Sequence, residues 1–219
     1  MSSLQAVLFD MDGTICDTEP AWMAAEYTIA EQHGAQWTQE DALRLVGNQL
    51  IVSGRYVKER MGLEQSAEAV VDVLLAEVTT AVRRDGVAWR PGALELLREC
   101  NEAAVPTALV TMSYTLFAEA VLTAMPFGRF DTVVTGDVVA HGKPAPDAYL
   151  QAAGALGADP ARCVAIEDSP TGVASAQAAG CVVMAVPHHV DVPATAGLIT
   201  RPGLVDVTLN ELRCLVADR

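Results

Sequence analysis

Lysine is scarce in this chain: Lys58 and Lys143 are the only two in 219 residues, and the basic residues together number 14 against 28 acidic ones. A formal charge of −14 leaves no basic surface for nonspecific binding of nucleic acid or of an anionic membrane, so neither is expected as a partner. Long apolar runs are also missing, with no stretch near the roughly 18 residues of a membrane-spanning helix. No signal-like segment precedes the first apolar run. The five cysteines, Cys16, Cys100, Cys163, Cys181 and Cys214, are odd in number and without Cys-x-x-Cys spacing, which reads as buried thiols in a reducing compartment and a cytoplasmic protein. Internal repeats and low-complexity segments are absent. What remains is a chain that is 51% hydrophobic, long enough to bury a full α/β core and to carry a small second domain, and expected to be a monomer or weak dimer.

The most informative stretch is Leu8-Phe9-Asp10-Met11-Asp12-Gly13-Thr14. Ala6-Val7-Leu8-Phe9 has no polar alternation, as a central parallel strand covered on both faces requires, and Gly13 supplies a turn. Asp10 and Asp12 therefore sit at the carboxyl end of a strand, where open α/β sheets carry their chemistry. Two carboxylates so close repel each other, and a bound cation relieves the repulsion. Oxygen-only ligands suit a hard divalent ion such as Mg²⁺.

Three further strand ends fall in register with the first. Ala108-Leu109-Val110 stops at Thr111-Met112-Ser113, offering a hydroxyl and backbone N–H groups to an anion at a helix start. Gly142-Lys143-Pro144-Ala145-Pro146-Asp147 fixes a lysine in a proline-stiffened turn, a compact cation able to neutralise a phosphate oxygen and the Asp10 carboxylate together. Ala165-Ile166-Glu167-Asp168 is another apolar strand halting on acids, followed by a helix start at Ser169-Pro170, and Asp168 is the third candidate metal carboxylate.

Between the first and second of these strands the chain changes character. Residues 17–90 read as an all-helical insertion, with helices over Trp22 to His33, Glu40 to Val46, Ile51 to Met61 and Ala67 to Arg83. After Trp89-Arg90-Pro91-Gly92 a helix over 93–102 leads into strands at 105–110, 130–134, 163–166 and 182–186, with helices at 145–156 and 170–179 and a closing helix at 209–216. This alternation predicts a doubly wound parallel sheet. Residues 1–16 and 91–219 would form the core and 17–90 a helical cap.

Asp-x-Asp-Gly-Thr, the Thr111 segment, Gly-Lys-Pro-x-Pro-Asp and Glu-Asp-Ser-x-x-Gly together resemble, in order, the four motifs of the haloacid dehalogenase superfamily, in its β-phosphoglucomutase-like and sugar-phosphatase branch. The resemblance covers essentially the whole chain. It implies a Rossmann-like core with an inserted helical cap, and hydrolysis of a small phosphorylated metabolite through an aspartyl-phosphate. Asp10 would be the nucleophile and Asp12 the general acid and base. Mg²⁺ would be held by Asp10, Asp168 and the main-chain carbonyl of Asp12, with Glu167 a ligand directly or through water. Thr111, Met112 and Lys143 would meet the phosphoryl group. Mutase members carry a histidine where this chain has Trp22, and indole cannot shuttle protons, so hydrolysis is expected over phosphomutase chemistry, with a noncatalytic binding protein on the same fold as the other alternative. True dehalogenases and phosphonatases lack the aspartate that Asp12 supplies.

The cap is less legible. Trp22, Asn48 and Gln49 are candidate substrate contacts, the last two in a loop that family members use for specificity. Arg55, Lys58 and Arg60 read as a solvated helix face rather than a second anion site. Cys16 reads as a small core residue. His188-His189 invites a metal reading, but no third ligand lies at suitable spacing, so the pair is expected to be ordinary loop histidines.

Overall fold

The run Ala6–Phe9, β1, is buried along its whole length. In the computed structural model, which describes residues 3–217, it lies inside a six-stranded sheet with β4 (Thr107–Val110), β5 (Thr132–Val134), β6 (Cys163–Glu167), β7 (Val182–Ala185) and β8 (Leu198–Thr200), in the order β5-β4-β1-β6-β7-β8. Every pairing in it is parallel. The chain runs outward from β1 through β4 to β5 and then returns to β6 on the other side of β1. The strand order therefore reverses between β1 and β6, and the carboxyl ends there open a crevice.

Alternate residues of the strands enter two separate apolar layers, as a doubly covered sheet demands. Val7, Phe9, Leu109 and Ile166 face one layer, shared with α5 (Ala93–Glu102) and α9 (Leu209–Ala217). Ala6, Leu8, Ala108 and Ala165 face the other, which is closed by α7 (Asp147–Ala155) and α8 (Pro170–Ala178). The first layer continues without a break into the helices α1 (Glu19–Gln32), α3 (Leu50–Met61) and α4 (Ala67–Asp85), so segment 17–90 shares its apolar core with the sheet.

Two expectations about that segment change. It is not entirely helical: β2 (Cys16–Asp17) and β3 (Ala88–Trp89) pair antiparallel where the chain enters and leaves it. Strands of two residues carry no periodicity for a sequence to show, and only the pairing creates them. The helix expected over 40–46 is the single short α2 (Gln39–Leu43), started by Thr38, whose hydroxyl accepts from the Asp41 N–H while Asp41 accepts from the Thr38 N–H. Elsewhere the local signals act as written. Pro20 lets α1 begin at Glu19 instead of Trp22. The restriction Pro146 places on Ala145 delays α7 to Asp147. β8 was not expected at all, because three residues gain strand form only by lying beside β7.

Among the described residues, no helix is long and apolar enough to cross a membrane.

Candidate active site

The ends of β1, β4 and β6 bring Asp10, Thr111 and Glu167-Asp168 together, and the turn before α7 adds Lys143. Lys143 is almost wholly buried and spends all three N–H donors on the protein: Asp10 Oδ1 at 2.6 Å, Glu167 Oε1 at 2.6 Å and the Val110 carbonyl at 2.9 Å. Tyr149 on α7 donates to the same Glu167 oxygen at 2.6 Å. Burial works against the ammonium, but Asp10 and Glu167 more than offset it and hold the Lys143 pKa above its ordinary value.

One ammonium does not balance three buried acids. Burial first, then the charge of Glu167, pushes Asp10 up to about 7 against the pull of Lys143, and burial with the same neighbouring acids pushes Asp168 well above the carboxylate range. Asp10, Glu167 and Asp168 each present an oxygen within 4.8 Å of the others. Asp10 Oδ2 and Asp168 Oδ2 are buried and have no hydrogen-bond partner. An all-oxygen set with excess negative charge and two unpartnered oxygens fits a hard divalent cation. Glu167 is different, since both its oxygens already accept bonds, from Lys143 and Tyr149 and from Ser169. Glycines make room for this cluster: a Cβ on Gly13, at φ +84°, would stand 1.9 Å from Asp168 Oδ2, and one on Gly172 would stand 2.0 Å from the Glu167 oxygens.

Asp12 is held from three sides. Thr18 donates to Oδ1, and Thr111 and Ser113 donate to Oδ2 at 3.0 and 2.8 Å. The Thr111 hydroxyl, expected to hold phosphate, thus already bonds Asp12 and also accepts from the Ser113 N–H at 2.9 Å. Met112 lines the crevice while its sulfur accepts from the Lys143 N–H.

Above the strand ends, α1 and the turn after α2 close a cavity of about 650 Å³, its open mouth included. Trp22 lines it and packs edge-on against Phe117, ring centroids 5.2 Å apart. Asn48 lines it too, with its amide donating to the Arg44 carbonyl at 2.7 Å. Gln49 does not: its side chain lies against Gly142 and its amide approaches the Lys143 carbonyl, so it buttresses the lysine turn instead of facing the cavity. Arg55, Lys58 and Arg60 also face away, Arg60 to Asp41 and Lys58 to the carbonyls of Glu64 and Gln65. Cys16 is buried with its thiol pKa raised well above the ordinary value by burial and by Asp12, the inert core residue expected.

Two acids were missed. Glu19 and Glu26 flank Trp22 on α1 at spacings of three and four, which places all three on one helix face lining the cavity. That Glu-Trp-Glu spacing was visible in the sequence. Burial, then Asp12, raises Glu19 to about 8. Burial raises Glu26 to about 7, opposed only by the Trp37 indole N–H, which donates to it at 3.0 Å. The folded Glu26 keeps its proton up to about 7 whereas an ordinary glutamate loses it near 4.5, so folding stability falls as pH rises through that window. Glu26→Gln retains an acceptor for Trp37. It is expected to leave stability unchanged near pH 4 and to raise it by about 1–3 kcal/mol near pH 8, read from thermal melts across that range.

A family model for haloacid dehalogenase-like hydrolases matches residues 4–180. This chain belongs to that family. Its relatives include hexitol phosphatase A of Escherichia coli (strain K12), 36% identical over 97% of this chain and 93% of that protein, and the fructose-1-phosphate phosphatase YqaB of the same organism, 35% identical over 80% and 92%. Among solved structures, a variant of CbbY from Rhodobacter sphaeroides in complex with xylulose-(1,5)bisphosphate superposes with a TM-score of 0.81 at 27% identity, covering 95% of this chain and 99% of that one. The haloacid dehalogenase-like hydrolase described here is a phosphatase with a Rossmann-like α/β core.

Proposed function

We propose that this phosphatase is Mg²⁺-dependent and hydrolyses a small monophosphate ester with an uncharged, polyhydroxylated leaving group, such as a sugar phosphate, through a phosphorylated Asp10. The observation that carries this reading is Asp10 itself: it lines the cavity, one of its carboxylate oxygens is pinned by Lys143, and the other is buried without a hydrogen-bond partner beside Asp168. Asp10 attacks phosphorus through one carboxylate oxygen, in line with the leaving oxygen, whose bond to phosphorus breaks as the acyl phosphate forms. With the ester bound, Asp12 acts first as general acid, giving a proton to the departing alkoxide, and then as general base, taking one from the water that cleaves the acyl phosphate, so that both carboxyl groups are regenerated. Thr18, Thr111 and Ser113 aim its carboxyl for both transfers. The cation, held by Asp10, Asp168 and the Asp12 carbonyl, would offset the repulsion between carboxylate and phosphate. Segment 17–90 acts as a cap over a core of 1–16 and 91–219, and excludes water from the acyl phosphate's surroundings except for the reacting molecule.

The leaving group follows from charge. Among the described residues Lys143 is the only cation lining the cavity, and the phosphoryl side uses it, while Glu19 and Glu26 line the cap side. A second phosphate there would meet two carboxyls and no counter-ion, whereas sugar hydroxyls find donors and acceptors. A phosphomutase would need to seat a bisphosphate in that space, and Trp22 offers no proton shuttle. The reading includes a monomeric or weakly dimeric cytoplasmic enzyme without nucleic-acid or membrane partners.

Phosphate release from a panel of sugar monophosphates, sugar bisphosphates and nucleotides, with Mg²⁺ and with EDTA, tests it. Release is expected from monophosphates only and only with the metal; faster release from bisphosphates, or isomerised product without phosphate, would overturn it. Asp12→Asn keeps the size and one accepting oxygen, with the hydroxyls on the other side turned to accept from its amide, but it cannot transfer the proton. It is expected to lower kcat about 10²–10⁴-fold on sugar phosphates and far less for phosphorylation by p-nitrophenyl phosphate, whose leaving group needs no proton, as read by burst kinetics.

A further inference from the structure

Outside the cavity, the pair His188-His189 has found the third group that sequence spacing did not offer. Asp17, 172 residues before His189, extends from β2 so that its Oδ1 lies 2.7 Å from His189 Nε2 and its Oδ2 3.2 Å from His188 Nε2. The rings stand side by side, centroids 4.1 Å apart, with both Nε2 atoms aimed at one carboxylate. All three groups are partly exposed, none lines the catalytic cavity, and their donor atoms lie within 4.8 Å of one another.

We infer that Asp17, His188 and His189 form a second metal site, selective for a borderline transition ion such as Zn²⁺, Co²⁺ or Ni²⁺. The donor set decides the class: two imidazole nitrogens and one carboxylate suit these ions, whereas the oxygen-only cluster of Asp10 and Asp168 suits Mg²⁺. Three protein ligands leave an outer position for water on the solvent side. The charge of Arg90 acts on both His188 and Asp17, and its own guanidinium donates to the Gly13 carbonyl at 2.6 Å. Its positive charge opposes a dication, so the site binds more weakly than a structural zinc centre. Position gives the site its consequence. Asp17 is in the strand through which the chain enters the helical segment, and the histidines are in the loop after β7. A bound ion ties one to the other across the base of that segment.

The test is a titration of the whole protein with Co²⁺ or Zn²⁺ in saturating Mg²⁺, followed by the Co²⁺ visible spectrum, equilibrium dialysis and the melting temperature. One ion per chain is expected at micromolar concentration, with a nitrogen-ligand Co²⁺ spectrum and a higher melting temperature. The variant His188→Ala/His189→Ala is expected to bind at least about 100-fold more weakly while keeping its Mg²⁺-dependent turnover. Asp10→Asn and Cys214→Ser are expected to bind as the wild type does, separating the site from the catalytic acids and from the exposed thiol. No ion bound at micromolar concentration, or binding retained by the double-histidine variant, would overturn the inference.

Discussion

Asp10→Asn is expected to lower phosphate release by at least about 10³-fold while leaving the protein as stable as the wild type or more so. The two halves of that result have separate causes. An amide cannot form the acyl phosphate, so the covalent route closes, and only slow direct attack by water on a bound ester remains. The fold gains because Asp10 is one of three buried acids facing one ammonium. Removing its charge relieves Asp168 and Glu167, and Lys143 keeps its bonds to Glu167 and to the Val110 carbonyl. Turnover of the purified variant, together with its melting temperature in EDTA, reads both. A further signature belongs to the metal: Mg²⁺ is expected to raise the wild-type melting temperature clearly and that of the variant less, since one ligand is gone. An active variant would remove Asp10 from the chemistry, and a variant that fails to fold would show that Lys143 needs both carboxylates.

The strand ends carried the site in the sequence because each signal was local. An apolar run that stops on acids says at once that it is buried and where it ends, which is why Asp10, Asp168 and Glu167 could be placed by reading along the chain. Lys143 was legible for a different reason: in a chain with one other lysine, a lysine between glycine and proline stands out. What the sequence concealed depends on approach in space. The hydroxyls on Asp12 come from residues six and about one hundred positions away, so Thr18 and Ser113 have no local mark. The bond from Tyr149 to Glu167 exists only once α7 packs across β4, β5 and β1 on the face of the sheet. The same reasoning covers β2, β3 and β8, whose strand form lies in their partners. Gln49 misled in the opposite way, a polar residue in the expected loop whose side chain is taken up by the turn it rests on.

Lys143→Met should be the most damaging single change to the fold, destabilising it by about 3–5 kcal/mol near neutral pH, because it leaves two buried carboxylates without their shared cation. Methionine fills nearly the same volume, so the loss reports charge and hydrogen bonding and not a cavity. The sign of the pH dependence follows. Asp10, already raised to about 7 beside Lys143, is harder still to ionise once the ammonium is gone, so the folded variant holds that proton to higher pH than the wild type and loses more stability as pH rises beyond about 7. Urea unfolding should therefore find wild type and variant closest near pH 5 and furthest apart near pH 8. Mg²⁺ in excess should recover part of the difference, since it returns positive charge to Asp10 and Asp168, but under the proposed mechanism it should not restore turnover, because the Lys143 charge beside Asp10 is gone. Lys143→Arg is expected to fail too, because a planar guanidinium cannot direct three bonds to Asp10, Glu167 and the Val110 carbonyl from a site shaped around a single nitrogen. A loss below about 1 kcal/mol that stays constant with pH would mean that the Lys143 charge does little for the buried acids, and would count against the proposed role of Lys143 beside the phosphoryl group.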